Sequence, residues 1–171
     1  MYKYSVYSVP RFLVIVFYHG DWECQEYLQA FSYIQERLRS MKIEVVGCSV
    51  DSSKGHLVWM KSDKSESSMS YFRSDGGFSG KLQMPLWSDP SGNFADQFDL
   101  YDAEENQCID GVVIIDDGGV VRHAMTTSLQ CSETAKNTFE MVNMLKKFKV
   151  DAKDVKKSTS KPSSSSSIST G

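Results

Sequence analysis

The chain has 171 residues, of which 40% are hydrophobic and 24% are charged, and its formal net charge at pH 7 is -3. This composition is typical of a single globular domain with a tail, and the small negative charge gives no reason to expect a nucleic-acid partner. No apolar run approaches the roughly 18 to 20 residues of a membrane span. We therefore expect a soluble protein that binds neither nucleic acid nor membrane.

The chain has four widely spaced cysteines, Cys24, Cys48, Cys108 and Cys131, and none of them forms a C-x-x-C pair. Structural zinc sites draw cysteine and histidine ligands at short, regular spacings, and neither these cysteines nor the three histidines show such a spacing. We expect no metal and no cofactor. A chain of this length does not need disulfides for stability, so a reducing, cytoplasmic location is expected.

The first half of the chain predicts a strand, a helix and a second strand. Residues 12–18 form a continuous apolar run rich in β-branched and aromatic side chains, as in a central strand covered on both faces. Apolar residues then recur at three- and four-residue steps over 28–41, which predicts an amphipathic helix. A second apolar run at 43–50 completes a βαβ unit. Cys24 lies at the start of the helix, where unpaired backbone N–H groups and the helix dipole favour a thiolate.

The second half predicts shorter elements, a hairpin, a last helix and a tail. Asp117-Gly118 between two apolar runs is a strong hairpin signal. The Lys- and Ser-rich residues 151–171 bury too little apolar surface to order themselves, so we expect a disordered tail. The predicted segments are an extended lead-in at 1–11, a helix capped at 51–53, a surface loop at 61–81, a strand at 84–87, a helix at 94–98, hairpin strands at 111–116 and 120–125, and a helix at 133–149. This order favours an α/β fold of three layers, a mixed central sheet flanked by helices.

Five sequence blocks occur in a fixed order and spacing: Phe17-Tyr18, residues 44–52, residues 56–59, residues 85–89 and residues 114–118. Together they resemble the typical two-cysteine peroxiredoxins, the alkyl hydroperoxide reductase C and thiol-specific antioxidant type. The resemblance implies a thioredoxin-like fold over residues 1–150 that lacks the family's opening hairpin. It also implies reduction of hydrogen peroxide or alkyl hydroperoxides by a peroxidatic cysteine. Cys24 takes that place, because Phe31 follows it by the family's seven residues.

The loop that carries Cys24 departs from the family pattern, in which a proline, a threonine and a second proline surround the nucleophile. Here the loop is two residues shorter, with His19 near the first proline and Gln25 in place of the second. Asp21 lies three residues before Cys24, where the family has its threonine hydroxyl. By the same resemblance, the family's supporting arginine corresponds to Glu133.

The resolving cysteine of the family has no counterpart, because no cysteine follows Cys131. Cys131 itself is the remaining in-chain candidate for that role. We expect Cys48 to be a small core residue and Cys108 to be structural or inert. An oxidised Cys24 would then be reduced by thioredoxin or another external thiol. The resemblance further implies a homodimer that pairs through the strand at 120–126.

Two functions of different classes remain open. The first is a thiol-dependent peroxidase in antioxidant or redox homeostasis, with His19 supplying a positive charge beside Cys24. The second is a catalytically impaired relative that serves as a binding or assembly module. In that case Asp21 caps the helix, Glu23 and Glu26 suit the positive end of its dipole, and Cys24 is a bystander. The three carboxylates disfavour a thiolate at Cys24, because like charges repel.

Overall fold

The computed structural model of the chain describes residues 12–61, 82–127 and 131–159, with side chains described over 132–147 in the last of these segments. The predicted lead-in at 1–11, the predicted surface loop beyond residue 61 and the end of the predicted tail at 160–171 lie outside the described residues. Within the described part of the chain, none of the helices combines the length and apolarity needed to cross a bilayer.

The helices and strands follow one another along the chain largely as predicted. In chain order they are β1 (Phe12–Phe17), α1 (Gln25–Ser40), β2 (Ile43–Ser49), α2 (Ser53–Lys61), β3 (Leu86–Ser88), α3 (Asn93–Asp96), β4 (Tyr101–Asp102), β5 (Gln107–Cys108), β6 (Gly111–Asp116), β7 (Val121–Thr126) and α4 (Cys131–Thr159). The predicted cap of α2 is confirmed, because Ser52 Oγ accepts the backbone N–H of Gly55 at 3.1 Å.

The central sheet has the order β3-β2-β1-β6-β7. Strand β1 lies in the middle, parallel to β2 on one side and antiparallel to β6 on the other. One face of the sheet packs against apolar side chains of α1, α2 and α4, and the opposite face packs against α3 and the β4–β5 pair. Cover on both faces explains why the β1 sequence is continuously apolar rather than alternating. The predicted three-layer α/β fold is confirmed.

The register of β1 brings together the segments that surround Cys24. Phe17, the last residue of β1, pairs with Cys48 of β2 on one side and with Gly111 of β6 on the other. The chain that leaves β1 therefore runs between the end of β2 and the start of β6. The loop from His19 onward, which leads into α1, is consequently held beside the residue that precedes Gly111.

Three features of the fold differ from the prediction. The short β4–β5 pair was not predicted, because strands of two residues carry no readable alternation. The hairpin turn contains three residues, with Gly119 at φ 76° after Asp117-Gly118, which is the geometry of a turn followed by a left-handed glycine. Helix α4 continues to Thr159 instead of ending near residue 149, so the first part of the predicted disordered tail is helical.

We expect Gly92→Ala to lower the free energy of unfolding by about 2–4 kcal/mol, because it combines a left-handed backbone with a collision. Gly92 has φ 67°, and a Cβ there would collide with the Tyr101 ring. Gly119 is the matched control, since it has φ 76° but no atom within 4 Å of its Cβ position. Urea denaturation of both variants measures the difference. Equal losses for the two would contradict the collision with Tyr101.

Candidate active site

Cys24 lies at the N-terminus of α1, as the sequence predicted. It is the N-cap residue, with φ -101° and ψ 21°, and its carbonyl accepts the first helical hydrogen bond from Leu28 at 3.0 Å. Its own N–H donates to the carbonyl of Gly20 at 3.1 Å. No side chain caps the helix, so the prediction that Asp21 does so is wrong. Cys24 is 4% exposed, which places the thiol just beneath the surface.

The imidazole of His19 lies against the thiol of Cys24. The sulfur is 3.2 Å from Nδ1 and 3.4 Å from Nε2 of the ring. A sulfur that is nearly equidistant from both nitrogens cannot lie along the N–H direction of either, because these directions diverge across the ring. The thiol therefore contacts the imidazole without a linear hydrogen bond, and a turn of the ring would bring one nitrogen in line with it.

Asp110 holds His19 in this place. Its Oδ1 is 2.9 Å from Nδ1 of the imidazole and also accepts the backbone N–H of His19 at 3.1 Å. The two side chains are 38% and 30% exposed, so this side of the cluster is open to water. Cys24, His19 and Asp110 together form a nucleophile, a base and an orienting carboxylate at hydrogen-bonding distances.

The surroundings of Cys24 favour the neutral thiol. Burial raises the pKa of Cys24 to about 12; backbone hydrogen bonds from Gly20 and His19 lower that pKa, whereas the negative charges of Asp110 and Glu23 raise it. Both charged side chains that act on this pKa are acids. Glu133, which corresponds to the family's supporting arginine, is exposed in the first turn of α4 and carries the opposite charge.

Asp21 belongs to a second, buried cluster beneath the same loop. Its Oδ1 accepts the hydroxyl of Tyr18 at 2.8 Å, and its Oδ2 is 2.7 Å from Nδ1 of His56. The backbone N–H of Asp21 donates to Asp51 at 2.9 Å. These bonds tie the loop after β1 to the end of β2 and to α2. His19 therefore contacts the thiol, whereas the carboxylate of Asp21 points away from it and binds Tyr18 and His56.

His56 is protonated more readily in the fold than in water. It is 4% exposed, and burial alone lowers its pKa, but the hydrogen bond and charge of Asp21, the charge of Asp51 and the carbonyl of Trp87 together raise the pKa above its usual range. Its Nε2 makes no hydrogen bond of good geometry with the described residues. The His56–Asp21 pair is therefore a buried ion pair that fixes the loop of Cys24 to α2.

The other described cysteines lie in the core. Cys48 and Cys108 are 0% and 1% exposed and pack on the opposite face of the sheet from Cys24. Burial raises the pKa of each thiol to about 12, which keeps both neutral. The predictions for both cysteines are confirmed. The side chain of Cys131 lies outside the described residues, so its role as a resolving thiol stays a prediction.

Asp110 is the member of the cluster that the sequence did not reveal. It precedes Gly111 at the start of β6, 86 residues after Cys24 along the chain. Only the antiparallel pairing of Phe17 with Gly111 brings it beside His19. The apolar run of β6 predicted the strand, but periodicity does not give the register of a long-range pair. No local signal distinguished Asp110 from the many other acidic residues in loops.

Comparison with known proteins connects this arrangement to one family. The AhpC/TSA family model matches residues 2–124. A probable peroxiredoxin of Caenorhabditis elegans is 31% identical over 134 residues, covering 77% of this chain and 55% of the relative. Human peroxiredoxin-4 is also 31% identical over 134 residues, covering 77% and 46% respectively. The chain thus spans about half the length of these curated relatives.

A solved structure supports the same assignment. Thioredoxin peroxidase I of Plasmodium yoelii superposes with a TM-score of 0.69 at 25% identity, over 82% of this chain and 75% of that one. The family model covers most of the chain, including β1, the loop of Cys24, β6 and the first part of β7. The resemblance noted in the sequence is confirmed: the chain belongs to the AhpC/TSA family, the peroxiredoxins.

Proposed function

We propose that this chain is a thiol-dependent peroxidase that reduces hydrogen peroxide or alkyl hydroperoxides through Cys24. The observation that carries the proposal is the position of Cys24 at the start of α1 with the His19–Asp110 pair against its sulfur. Family membership supplies the reaction class, and the cluster supplies the groups that such a reaction needs.

The reaction assigns one task to each group of the cluster. The sulfur of Cys24 attacks one oxygen of the peroxide, the O–O bond breaks, and an S–O bond forms. The products are a sulfenic acid on Cys24 and water or an alcohol, so the thiol proton must pass to the leaving oxygen. His19, in contact with the sulfur, takes this proton as the bond forms and returns it to the leaving oxygen.

Asp110 orients the base and stabilises the imidazolium that forms during transfer. Its Oδ1 contacts both the ring Nδ1 and the backbone N–H of His19, so the residue is held at two points, one on the ring and one on the backbone. The partial exposure of His19 and Asp110 gives a small peroxide access from this side. This cluster replaces the family's threonine and arginine with a different set of polar groups.

Reduction of the sulfenic acid back to the thiol requires two reducing equivalents from another molecule. We propose an external dithiol such as thioredoxin, which forms a mixed disulfide with Cys24, releases water and leaves as its own disulfide.

We also propose a homodimer through β7, which is an edge strand of the described sheet and exposes Val121 and Ala124. The cytoplasmic location stays a prediction in keeping with three free cysteines among the described residues.

One observation favours the second candidate function, a binding or assembly module without efficient catalysis. Burial and two acidic neighbours hold the pKa of Cys24 at about 12, so the resting sulfur is a thiol. A relative that depended on a free thiolate would react slowly in this environment. The two candidates therefore differ in whether His19 deprotonates Cys24 during the reaction.

The experiment that separates them is the rate of sulfenic acid formation at Cys24 in a His19→Asn variant. We expect a loss of about 100-fold relative to the unmodified chain, the usual size of a general-base contribution. Asp99→Asn is the control, because Asp99 is exposed and belongs neither to the cluster nor to β7. Dimedone trapping with mass spectrometry gives the rates. An unchanged rate in His19→Asn would remove the base from the mechanism and favour the binding module.

A further inference from the structure

The cluster around Cys24 contains three different metal-ligand atoms from three segments of the fold. Cys24 comes from the start of α1, His19 from the loop after β1, and Asp110 from the residue before β6. Their sulfur, nitrogen and oxygen atoms all lie within 4.8 Å of one another. The sequence expectation of no metal rested on the spacing of cysteines and histidines and did not include Asp110.

Two of the three distances in the cluster are close to those between the ligands of a tetrahedral zinc ion. Bond lengths of about 2.0–2.1 Å to nitrogen, 2.0–2.2 Å to oxygen and 2.3 Å to sulfur place neighbouring N and O atoms about 3.4 Å apart, and N and S atoms about 3.6 Å apart. In the structure the corresponding separations are 2.9 Å from Nδ1 to Asp110 and 3.2 Å from Nδ1 to the sulfur. Opening each by a few tenths of an ångström, with a turn of the His19 ring, admits an ion.

We propose that Cys24, His19 and Asp110 bind a Zn²⁺ ion, with water as the fourth ligand. Thiolate, imidazole and carboxylate are the three donor types that zinc takes in proteins, and three protein ligands plus water is the arrangement of its open sites. The ion replaces the proton on the thiol, which is released to the solvent, and it binds the ring nitrogen of His19 that carries no hydrogen, so the imidazole stays neutral with its N–H on the other nitrogen.

The exposure of the three side chains gives the ion a route and leaves room for the water. His19 and Asp110 are 38% and 30% exposed, whereas Cys24 is 4% exposed. The ion therefore enters from the imidazole and carboxylate side and meets the sulfur last. The fourth position faces the same open side, because the sulfur occupies the protein side of the cluster.

The second cluster of possible ligands, formed by Asp21, Asp51 and His56, does not suit the same ion. Both carboxylate oxygens of Asp21 already have partners, the hydroxyl of Tyr18 and the ring of His56. The cluster has no sulfur, and Asp21 and His56 are at most 4% exposed. Its hydrogen bonds hold the loop together, so zinc binding is assigned to Cys24, His19 and Asp110.

Zinc at this position would regulate the thiol. A zinc-bound sulfur shares its lone pair with the metal, so it attacks a peroxide more slowly than a free thiolate. Oxidation of Cys24 in turn removes the zinc ligand, since a sulfenic acid no longer offers the thiolate. The site itself does not depend on the proposed peroxidase, because the three ligands bind metal whether or not the chain reduces peroxide.

The test is a titration of the reduced, chelator-treated chain with Co²⁺ and then with Zn²⁺. We expect one Co²⁺ per chain, a thiolate-to-cobalt absorption band in the near ultraviolet, and loss of that band as Zn²⁺ displaces cobalt. Cys24→Ser should abolish the band, and His19→Asn and Asp110→Asn should each weaken zinc binding by at least about tenfold. Circular dichroism confirms that each variant is folded.

The control is Asp99→Asn. Asp99 is exposed at φ 56°, a conformation that asparagine adopts well, so this exchange removes a carboxylate without strain. This control should bind zinc as the unmodified chain does. Absence of the cobalt band in the unmodified chain, or undiminished zinc binding by folded Cys24→Ser or Asp110→Asn, would overturn the site. The peroxidase is tested with the metal removed by chelator, and the zinc site is tested by metal titration without peroxide. The failure of one proposal therefore leaves the test of the other unchanged.

Discussion

A Cys24→Ser variant is expected to lose peroxide reduction completely while keeping its fold. The serine hydroxyl fits the space of the thiol at the start of α1, and serine is a favoured N-cap residue, so the helix retains its beginning. The hydroxyl is a far weaker nucleophile toward peroxide oxygen than sulfur and forms no sulfenic acid. Peroxide consumption in the presence of dithiothreitol measures the loss, and circular dichroism checks the fold.

Cys48→Ala is the control for this experiment, because Cys48 is a fully buried cysteine on the opposite face of the sheet. It removes one sulfur from the core and none from the cluster. We expect it to consume peroxide at the rate of the unmodified chain. Activity that survives in Cys24→Ser and disappears in Cys48→Ala would assign the reaction to a different cysteine.

The largest loss of stability is expected for Asp21→Ala, at about 3–5 kcal/mol of unfolding free energy. The variant leaves the buried ring of His56 and the buried hydroxyl of Tyr18 without the carboxylate that accepts both of their hydrogen bonds. Removing one partner of a buried pair costs more than the pair contributes, because the other group stays desolvated. Urea denaturation at constant pH measures the loss.

Asp21→Asn is the matched control and also tests the charge of the pair through pH. It keeps the shape and one acceptor, so we expect a loss of about 1.5–3 kcal/mol. The pKa of His56 is raised in the fold, so the stability contributed by its protonation is fully present below the unfolded pKa of about 6.5 and declines as pH rises through the folded pKa. The difference between the unmodified chain and Asp21→Asn should therefore be larger at pH 6 than at pH 9.

A difference that grows with rising pH would show that His56 is neutral in the fold and that Asp21 acts only as an acceptor. A loss below about 1 kcal/mol in Asp21→Ala would show that water fills the space and satisfies both partners. Either result would contradict the buried ion pair beneath the loop of Cys24.

The elements that could be predicted from the sequence are those whose signal is local. A strand buried on both faces leaves a continuous apolar run, as in β1, whereas a helix buried on one face leaves apolar residues at three- and four-residue steps, as in α1. These two patterns predicted the strand, the helix and the position of Cys24 between them. Helix α4 was predicted too short, since its polar second half carries no apolar stripe. The β4–β5 pair was missed because each strand has two residues.

The site was only half predictable, because half of it depends on contacts between distant segments. His19 was a candidate for its closeness to Cys24 in the sequence, and the structure confirms that contact. Asp21 was expected at the helix cap, but the buried His56 competes for its carboxylate. Asp110 required the β1–β6 register, which no residue pattern in either strand specifies.

The central question is whether the His19–Asp110 pair overcomes an environment that disfavours the thiolate. Burial and the charges of Asp110 and Glu23 raise the pKa of Cys24 to about 12. About five pH units above neutrality correspond to roughly 7 kcal/mol against the free thiolate. A peroxidase with this site cannot store the thiolate, so the proton must leave as sulfur attacks. His19 is in place to take it.

The most direct test is the rate constant for oxidation of each cysteine by stoichiometric hydrogen peroxide, measured in chelator with dimedone trapping and mass spectrometry. The proposed peroxidase predicts selective trapping at Cys24, faster than for a free cysteine and far faster than at the buried Cys48 and Cys108. Oxidation of Cys24 no faster than at Cys48 or Cys108 would contradict it and leave a peroxiredoxin fold that has kept the position of the nucleophile without its chemistry.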